Sequence, residues 1–546
     1  MTEVIDTRTT LDTATSRTAA EAAIEQLEAC GARVIFGIPG VHTVALYDAL
    51  HTSSMTHILA RHEQGAGFMA DGYARATGDP AVAMVITGPG VTNVATPIGE
   101  AYTDSSPVFV LSSNVDSAHL DAMRGNLHDL KDQRAVMRAV TKWNERALRA
   151  EDVAPLIAEG WRQMTTGRRL PVNVEVPLDI LDQHVPAGGI SAPGGEPTAS
   201  DISNEIDQAA TALGGASKPV IYAGGGATST AAGDAIARIA EKLNAPIVTS
   251  IQGKGSVPAS HPHNLDALWT QGNAVDNLVK EADALLVIGS RLGVQATENF
   301  AFPIPETLVR IDIDPEEMTR NATPTVAIEA DARVAAAQLA DALDQRETAS
   351  TWDPARFAEV REAARSAAFG AERYEWLEAI QAALPPEAPI AWDMTMMSYV
   401  AGFLYPVERP RTFLFPTGYG TLGFALPAAI GAKVGMGDTP VAVVVGDGGF
   451  QFTMQELATA IQFRLGIPII IFNDSTYSAV KDEQKQSRGG RYAAVDLVNP
   501  DYVKLAEAYD IPGVRAETPA ALTEAIREAV TRDQPTIIDV PIDGWV

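Results

Sequence analysis

The sequence predicts an α/β protein made of three doubly wound parallel-sheet domains. Three observations carry that expectation. The first is a repeated rhythm of a short apolar run, a glycine-bearing turn and an amphipathic helical stretch. Runs that are apolar at every position, rather than at alternate ones, belong to strands covered on both faces by helices. The second is length: 546 residues are three or four domains' worth of chain. The third is punctuation. Pro186–Ser200 is rich in Gly, Pro, Ser and Ala, and Arg346–Pro354 is polar, so both read as linkers. They divide the chain into expected domains at 17–185, 200–345 and 360–546.

Taken in order, the first part offers strands at Arg33–Gly37, Ala81–Thr87 and Val108–Ser112. The second offers Pro219–Ala223, Ile247–Ser250, Ala284–Gly289 and Leu308–Ile313. The third offers Ile390–Asp393, Val441–Val445, Ile467–Phe472 and Thr536–Val540. Met1–Arg17 is polar and Thr-rich and lacks the pattern of a secretory signal, so it reads as a loose tail. The balance of 41 Lys+Arg against 69 Asp+Glu gives a net charge of −28. Such a surface argues against nucleic acid or an anionic membrane as partner. The single cysteine, Cys30, excludes an intrachain disulfide and suggests a reducing, cytoplasmic setting. The longest apolar runs are far too short to span a bilayer.

The strongest chemical signal lies in the third part. The run VAVVV leads into Gly446-Asp447-Gly448-Gly449, a helical stretch follows over Thr453–Leu465, and IPIIIF leads into Asn473-Asp474-Ser475-Thr476-Tyr477. This is one βαβ unit, and its right-handed crossover sets the carboxyl ends of the two strands side by side. Asp447 and Asp474, 27 residues apart, then face the ligand side of the sheet. Two carboxylates, the Thr476 carbonyl and phosphate oxygens would complete the oxygen shell that Mg²⁺ prefers. Gly448 and Gly449 let backbone approach the ligand, and the following helix N-terminus favours an anion. Alone, the GDGG run reads as a strand-to-helix turn; the full strand–helix–strand spacing favours the metal.

This segment resembles the thiamine-diphosphate motif, GDG followed some two dozen residues later by NN, with Asp474 in place of the second Asn. The resemblance covers about residues 17–545, in the domain order of the acetolactate synthase, benzoylformate decarboxylase and benzaldehyde lyase group. It implies pyrimidine-binding, central and diphosphate-binding domains. It implies thiamine diphosphate and Mg²⁺ as cofactors, with Tyr477 beside the metal loop. In Arg61-His62-Glu63-Gln64-Gly65 the resemblance makes Glu63 the partner of the aminopyrimidine N1′; without it, Glu63 is a helix-start acid. In Gly418–Pro427 it makes the Gly420 carbonyl an acceptor for the 4′-amino group and Leu422 the wedge that bends the cofactor. Thr395 falls where relatives bind the diphosphate. Pro39 and Asn93, the latter in a Gly-Pro-Gly-Val-Thr-Asn turn, fall near the pyrimidine. Sites shared between chains make the expected assembly a homodimer or homotetramer.

Glu63, His42 and His128 are the expected catalytic residues, the histidines suited to protonating the enamine carbanion after CO₂ loss. Substrate contacts are expected from Val41, Val480 and Glu483. His42 matches a histidine that faces the thiazolium in benzaldehyde lyase-like relatives, and His128 replaces part of a Phe-Gln pair of acetolactate synthases. Each reads equally as a hydrogen-bonded loop histidine. Glu483 stands where acetolactate synthases place a tryptophan, and an acid there favours a cationic substrate tail over a second small anion. It also fits a surface helix of mixed charge. The expected reaction is decarboxylation or carboligation of a 2-oxo acid through an ylide and an enamine. The sequence most resembles the 2-ketoarginine decarboxylase-like or acetolactate-synthase-like branch, which makes a 2-ketoarginine-like substrate one expectation. The alternatives are an acetolactate synthase, a benzaldehyde lyase-like carboligase and, in a different class, a non-catalytic homologue that only binds the cofactor. FAD is less favoured: the turn Gly224-Gly225-Gly226 after the PVIYA run lacks the third glycine of a dinucleotide fingerprint, with Ser229 at that place.

Overall fold

The computed structural model describes residues 16–192 and 201–545. The stretch 1–15, most of the expected tail, and 193–200, the heart of the first expected linker, lie outside the described residues.

The chain divides into two compact units, the first built from 1–74 and 79–196, the second from 75–78 and 197–546. The first unit contains β1 (Ser16–Thr18), β2 (Val34–Gly37), β3 (Thr56–Leu59), β4 (Ala81–Val85), β5 (Val108–Asn114), β6 (Trp143–Arg146), β7 (Val172–Pro177) and β8 (His184–Pro186). Strands β2 to β7 form a parallel sheet in the order β3-β2-β4-β5-β7-β6. The β1 and β8 strands pair separately and antiparallel. Arg17 and Pro186 are therefore strand residues, one at the edge of the expected tail and one at the edge of the expected linker. Strands β4, β5 and β7 are buried along their whole length, as apolar runs in a helix-covered sheet require. Helices Ala19–Ala29 and Val153–Thr165 close one face with Ile24, Leu27, Ile157 and Trp161.

The second unit carries two sheets. The central one has β9 (Pro219–Ala223), β10 (Ile247–Thr249), β11 (Ala284–Ile288), β12 (Thr307–Asp312) and β13 (Val326–Glu329), in the order β10-β9-β11-β12-β13. The last has β14 (Ile390–Trp392), β15 (Phe413–Leu414), β16 (Ala442–Gly446), β17 (Pro468–Asn473), β18 (Gly513–Arg515) and β19 (Thr536–Pro541), in the order β15-β14-β16-β17-β19-β18. All their pairings are parallel. The fold is thus three doubly wound parallel α/β sheets, as the apolar runs imply.

Two local expectations change. Arg346–Pro354 is not a loose tether: Trp352 is buried, its indole N–H donates to the Pro219 carbonyl at 2.9 Å, and Thr351 N–H donates to the Ser217 carbonyl at 2.8 Å. Trp352 and Phe357 belong to one apolar core that runs from the central sheet into the last one, which is why these two sheets form a single unit. The expected helix Thr453–Leu465 is instead Asp447–Thr453, a 3₁₀ turn Met454–Glu456 and a helix Leu457–Gln462. The first helix starts directly off β16, because its first-turn glycines remove the bulk that would hold it away. Asp447 is therefore a helix-start residue, with Gly446 as its cap.

Candidate functional site

In a doubly wound sheet, ligands bind beyond the carboxyl ends of the strands where the strand order reverses. In the first unit that crevice lies between β2 and β4. The residues after β2 form a self-tied turn: Thr43 Oγ1 donates to the Gly40 carbonyl and accepts the Gly40 N–H, each at 3.0 Å. This turn presents exposed Pro39, Val41 at 65% exposure and half-buried His42. After β4 comes Thr87, then Gly88 at φ 65°, which caps the helix Pro89–Thr103. A Cβ on Gly88 would lie 2.4 Å from the His128 carbonyl, so only glycine allows that approach. His128 itself holds φ 64°. Its ring stands edge-on to His42, centroids 5.5 Å apart.

His42 Nδ1 lies 3.0 Å from Thr87 Oγ1, which lies 3.0 Å from Ser113 Oγ. Burial, reinforced by His128, holds the His42 imidazole below the ordinary histidine range, against the opposing pull of Asp116. The turn is anchored from below. Gln133 accepts the Gly88 N–H at 2.8 Å and donates at 2.8 Å to both the Ser113 carbonyl and Glu175. The buried Glu175 also accepts from Asn114 and pairs with Arg146.

Glu63 opens the helix Glu63–Thr77, which follows β3. His62 Nδ1 accepts the Gln64 N–H at 3.1 Å, so this histidine caps the helix and fixes where Glu63 begins. Asn93 Nδ2 donates to Glu63 Oε2 at 2.9 Å. The structure thus joins Glu63 with Asn93, and His42 with His128, within one unit.

In the second unit the corresponding crevice of the last sheet lies between β14 and β16. Asp447 follows β16 and Asp474 follows β17. Asn499 bridges this edge: its Oδ1 accepts from Gln451 at 2.9 Å, and its Nδ2 donates to Asp447 Oδ2 at 2.5 Å and to Asn473 Oδ1 at 3.0 Å. Burial pushes Asp447 up to about 6, with the nearby Asp474 carboxylate adding to the rise. Asp474 accepts from Ser478. Thr476 sits in a clamped loop between the bonds from Tyr477 N–H to the Val495 carbonyl and from Leu497 N–H to the Ser475 carbonyl, each 2.8 Å. The Tyr477 ring lies over Gly448, where a Cβ would come within 2.5 Å of it. Thr395 caps the helix Met396–Leu404 without a side-chain bond, and a Cβ on Gly446 would meet its hydroxyl at 2.7 Å.

Gly420 (φ 72°) and half-buried Leu422 lie in the loop before helix Ala425–Met436. That loop is held by Asp393, a fully buried carboxylate. Its Oδ1 accepts the Met394 N–H at 3.0 Å and the Gly423 N–H at 3.1 Å, and its Oδ2 accepts the Ala425 N–H at 2.9 Å. Burial raises Asp393 to about 6 despite these bonds. Val480 and Glu483 project from the exposed helix Ser478–Arg488, one turn apart, with Val480 52% exposed. Asp393, Asn499 and the Thr87–Ser113 pair escape the sequence reading. The strand-end rule that finds Asp447 also points at Asp393, since both follow strands flanking the same switch point. Nothing near Asn499 in the sequence marks it.

The donor set beyond β16 and β17 fits a divalent cation held jointly with phosphate oxygens. Asp447, buried beside a second carboxylate, is destabilised as an anion, and a cation between the two reverses that penalty. Among the described residues no cluster of three or more His, Cys, Asp or Glu makes a metal cage of its own, so further ligands would come from backbone, water or the bound group. In the central sheet the Gly224 and Gly226 N–H groups donate to the Ile288 and Gly289 carbonyls at 2.9 and 3.0 Å. Its switch-point turns touch through their backbones.

Three α/β sheets, with ionisable side chains gathered beyond the carboxyl ends of the outer two, define the class of doubly wound cofactor enzymes. Within it, the N-terminal, central and C-terminal domain models of the thiamine pyrophosphate enzymes match residues 17–136, 206–339 and 393–540. The chain belongs to this family. Its relatives include a probable 2-ketoarginine decarboxylase of Pseudomonas aeruginosa, 40% identical over 94% of this chain and 91% of that one. A probable acetolactate synthase large subunit of Methanocaldococcus jannaschii is 34% identical over 96% and 92%. The isozyme 3 large subunit of Escherichia coli acetolactate synthase is 32% identical over 96% and 95%. Among the described residues no helix is long and apolar enough to cross a membrane.

Proposed function

We propose that the protein is a thiamine-diphosphate- and Mg²⁺-dependent enzyme that decarboxylates a 2-oxo acid with a cationic tail, of the guanidino type. The observation that carries the cofactor reading is the buried Asp447 with the Asp474 carboxylate nearby, at the ends of β16 and β17, where Asn499 ties Asp447 to Asn473. Asp447, Asp474 and the Thr476 carbonyl would hold the metal. Thr395, Gly448, Gly449 and the helix N-termini at Met396 and Asp447 would receive the diphosphate, with Tyr477 packed beside them. Pro39, Glu63, Asn93, Gly420 and Leu422 would hold the pyrimidine and set its bend. Each unit is read as holding one end of the cofactor, in a homodimer or homotetramer.

Thiamine diphosphate supplies a nucleophilic carbon and an electron sink for the pair left when CO₂ departs. The chain's part is to orient and to move protons. Glu63, fixed by the helix start and by Asn93, holds a proton at the aminopyrimidine N1′. His42 and His128 would face the substrate-derived carbon, where a histidine can pass a proton or donate a hydrogen bond. The Glu483 carboxylate attracts a cationic tail, and Val41 and Val480 supply apolar contact. No flavin is assigned to the central sheet, since Ser229 stands where a dinucleotide fingerprint wants its third glycine.

The 40% identical relative named as a 2-ketoarginine decarboxylase supports the substrate class. The acetolactate synthases among the relatives favour a second reading, condensation of two 2-oxo acids. A panel of 2-oxo acids, scored for CO₂ release and for acetolactate, separates them. Turnover of the guanidino acid above that of pyruvate is expected, and Glu483→Gln is expected to lower that preference about tenfold. Acetolactate formed from pyruvate at the faster rate would replace the first reading with the second.

A further inference from the structure

We propose that Thr87 and Ser113 are positioning residues that hold His42 as the neutral tautomer with its proton on Nε2. The argument is a proton inventory of three buried contacts. Ser113 Oγ accepts the Thr87 backbone N–H at 3.0 Å. The same Oγ lies 3.0 Å from Thr87 Oγ1, which lies 3.0 Å from His42 Nδ1. Thr87 and Ser113 are both 0% exposed, so water does not complete either hydroxyl. Among the described residues, Thr87 Oγ1 is the one acceptor within reach of the Ser113 hydroxyl proton. Ser113 O–H therefore donates to Thr87 Oγ1. The Thr87 O–H must then donate to Nδ1, and Nδ1 must be bare.

The opposite polarity has His42 Nδ1–H donating to Thr87 Oγ1 and Thr87 O–H donating to Ser113 Oγ. It leaves the Ser113 proton buried without an acceptor, the arrangement native interiors avoid. Imidazolium suffers the same fault, because its Nδ1 must also donate. The relay thus opposes protonation of His42 by geometry. Burial and the edge-on His128 ring act in the same direction, and Asp116 acts against them. The relay is itself held rigid: Gln133 ties the Gly88 N–H to the Ser113 carbonyl and to Glu175. Nε2 is left as a directed hydrogen-bond donor on a neutral ring, ready to donate to a substrate carboxylate or carbonyl oxygen.

The role of this donor in turnover rests on the reading above, but the tautomer does not. Neutron diffraction from deuterium-exchanged crystals of the full chain at pH 7.5 reads it directly. Deuterium is expected on His42 Nε2 and on Thr87 Oγ1 pointing at Nδ1, with Nδ1 bare. Deuterium on Nδ1, alone or together with Nε2, overturns the proposal. A protein inert toward every 2-oxo acid would remove the proposed function and leave this result standing. In an active protein, Thr87→Val is expected to lower kcat about tenfold with KM little changed. It should also move the acidic limb of the kcat pH profile upward, because His42 then protonates more easily, and Thr87→Ser should restore both. A Thr87→Val enzyme with unchanged kcat and pH profile overturns the positioning role.

Discussion

The two outer sheets are built to the same plan and equipped for opposite chemistry. Counting strands in chain order within each sheet, both run 2-1-3-4-6-5 across the sheet. The switch point lies between β2 and β4 in the first unit and between β14 and β16 in the second. At the first, the loops deliver imidazoles and hydroxyls, and burial lowers the pKa of the His42 imidazole. At the second, they deliver Asp393 and Asp447, and burial raises both carboxyls to about 6. Desolvation acts at both sites with one sign in energy, against charge, and with opposite signs in pKa. The backbone plan fixes where a site can be; a few loop residues decide what it holds.

The widest test of that contrast removes one acid from each unit. Glu63→Gln in the first keeps the Asn93 contact but cannot exchange a proton. It should lower kcat by about 10³-fold with cofactor still bound, measured by CO₂ release. Asp447→Ala in the second should act on binding instead, weakening thiamine diphosphate with Mg²⁺ more than about 100-fold by calorimetry. If the first change abolished cofactor binding, or the second left it normal, the division of labour between the sheets would be wrong.

Much of this was legible because parallel sheets write themselves plainly. VAVVV, IPIIIF, PVIYA and ALLVIG are apolar at every position and became β16, β17, β9 and β11 within a residue or two at each end. The βαβ spacing then located Asp447 and Asp474 beyond strand ends. What escaped depends on contacts far apart in sequence. Asn499 reaches Asp447 from a loop 52 residues away, with no periodicity to announce it. Trp352 turns an apparently polar tether into core because one large side chain finds a pocket in another sheet. Thr453–Leu465 has helical spacing throughout, but three-dimensional packing starts the helix at Asp447 and breaks it at Met454.

A smaller effect separates anchoring from binding at the second switch point. Asp393→Ala strips the acceptor from the N–H groups of Met394, Gly423 and Ala425 and leaves them buried. The expected loss is about 3–5 kcal/mol of stability, read as a lower midpoint in denaturant. The corresponding anchor in the first unit, Gln133, is uncharged, so its removal should cost less, about 1–3 kcal/mol. Equal losses would mean that charge adds nothing to the way the two turns are held.

The finest test uses pH. Asp393 has a folded value near 6 and an unfolded value near 3.9. Between these values the folded chain binds more protons than the unfolded one, so the slope of unfolding free energy with pH is negative. The contribution is fully present below about pH 4 and is lost as pH rises through about 6. At about 1.4 kcal/mol per pKa unit, it amounts to at most about 3 kcal/mol. Asp393→Asn cannot ionise and lacks the slope. With cofactor absent, the stability of the wild-type chain relative to this variant should fall from pH 4 to pH 6 and level off above pH 7. Other titrating groups cancel in that difference where they lie far from Asp393. A difference that rose with pH would show that the three N–H donors outweigh burial, and that Asp393 is an anion stabilised by its loop.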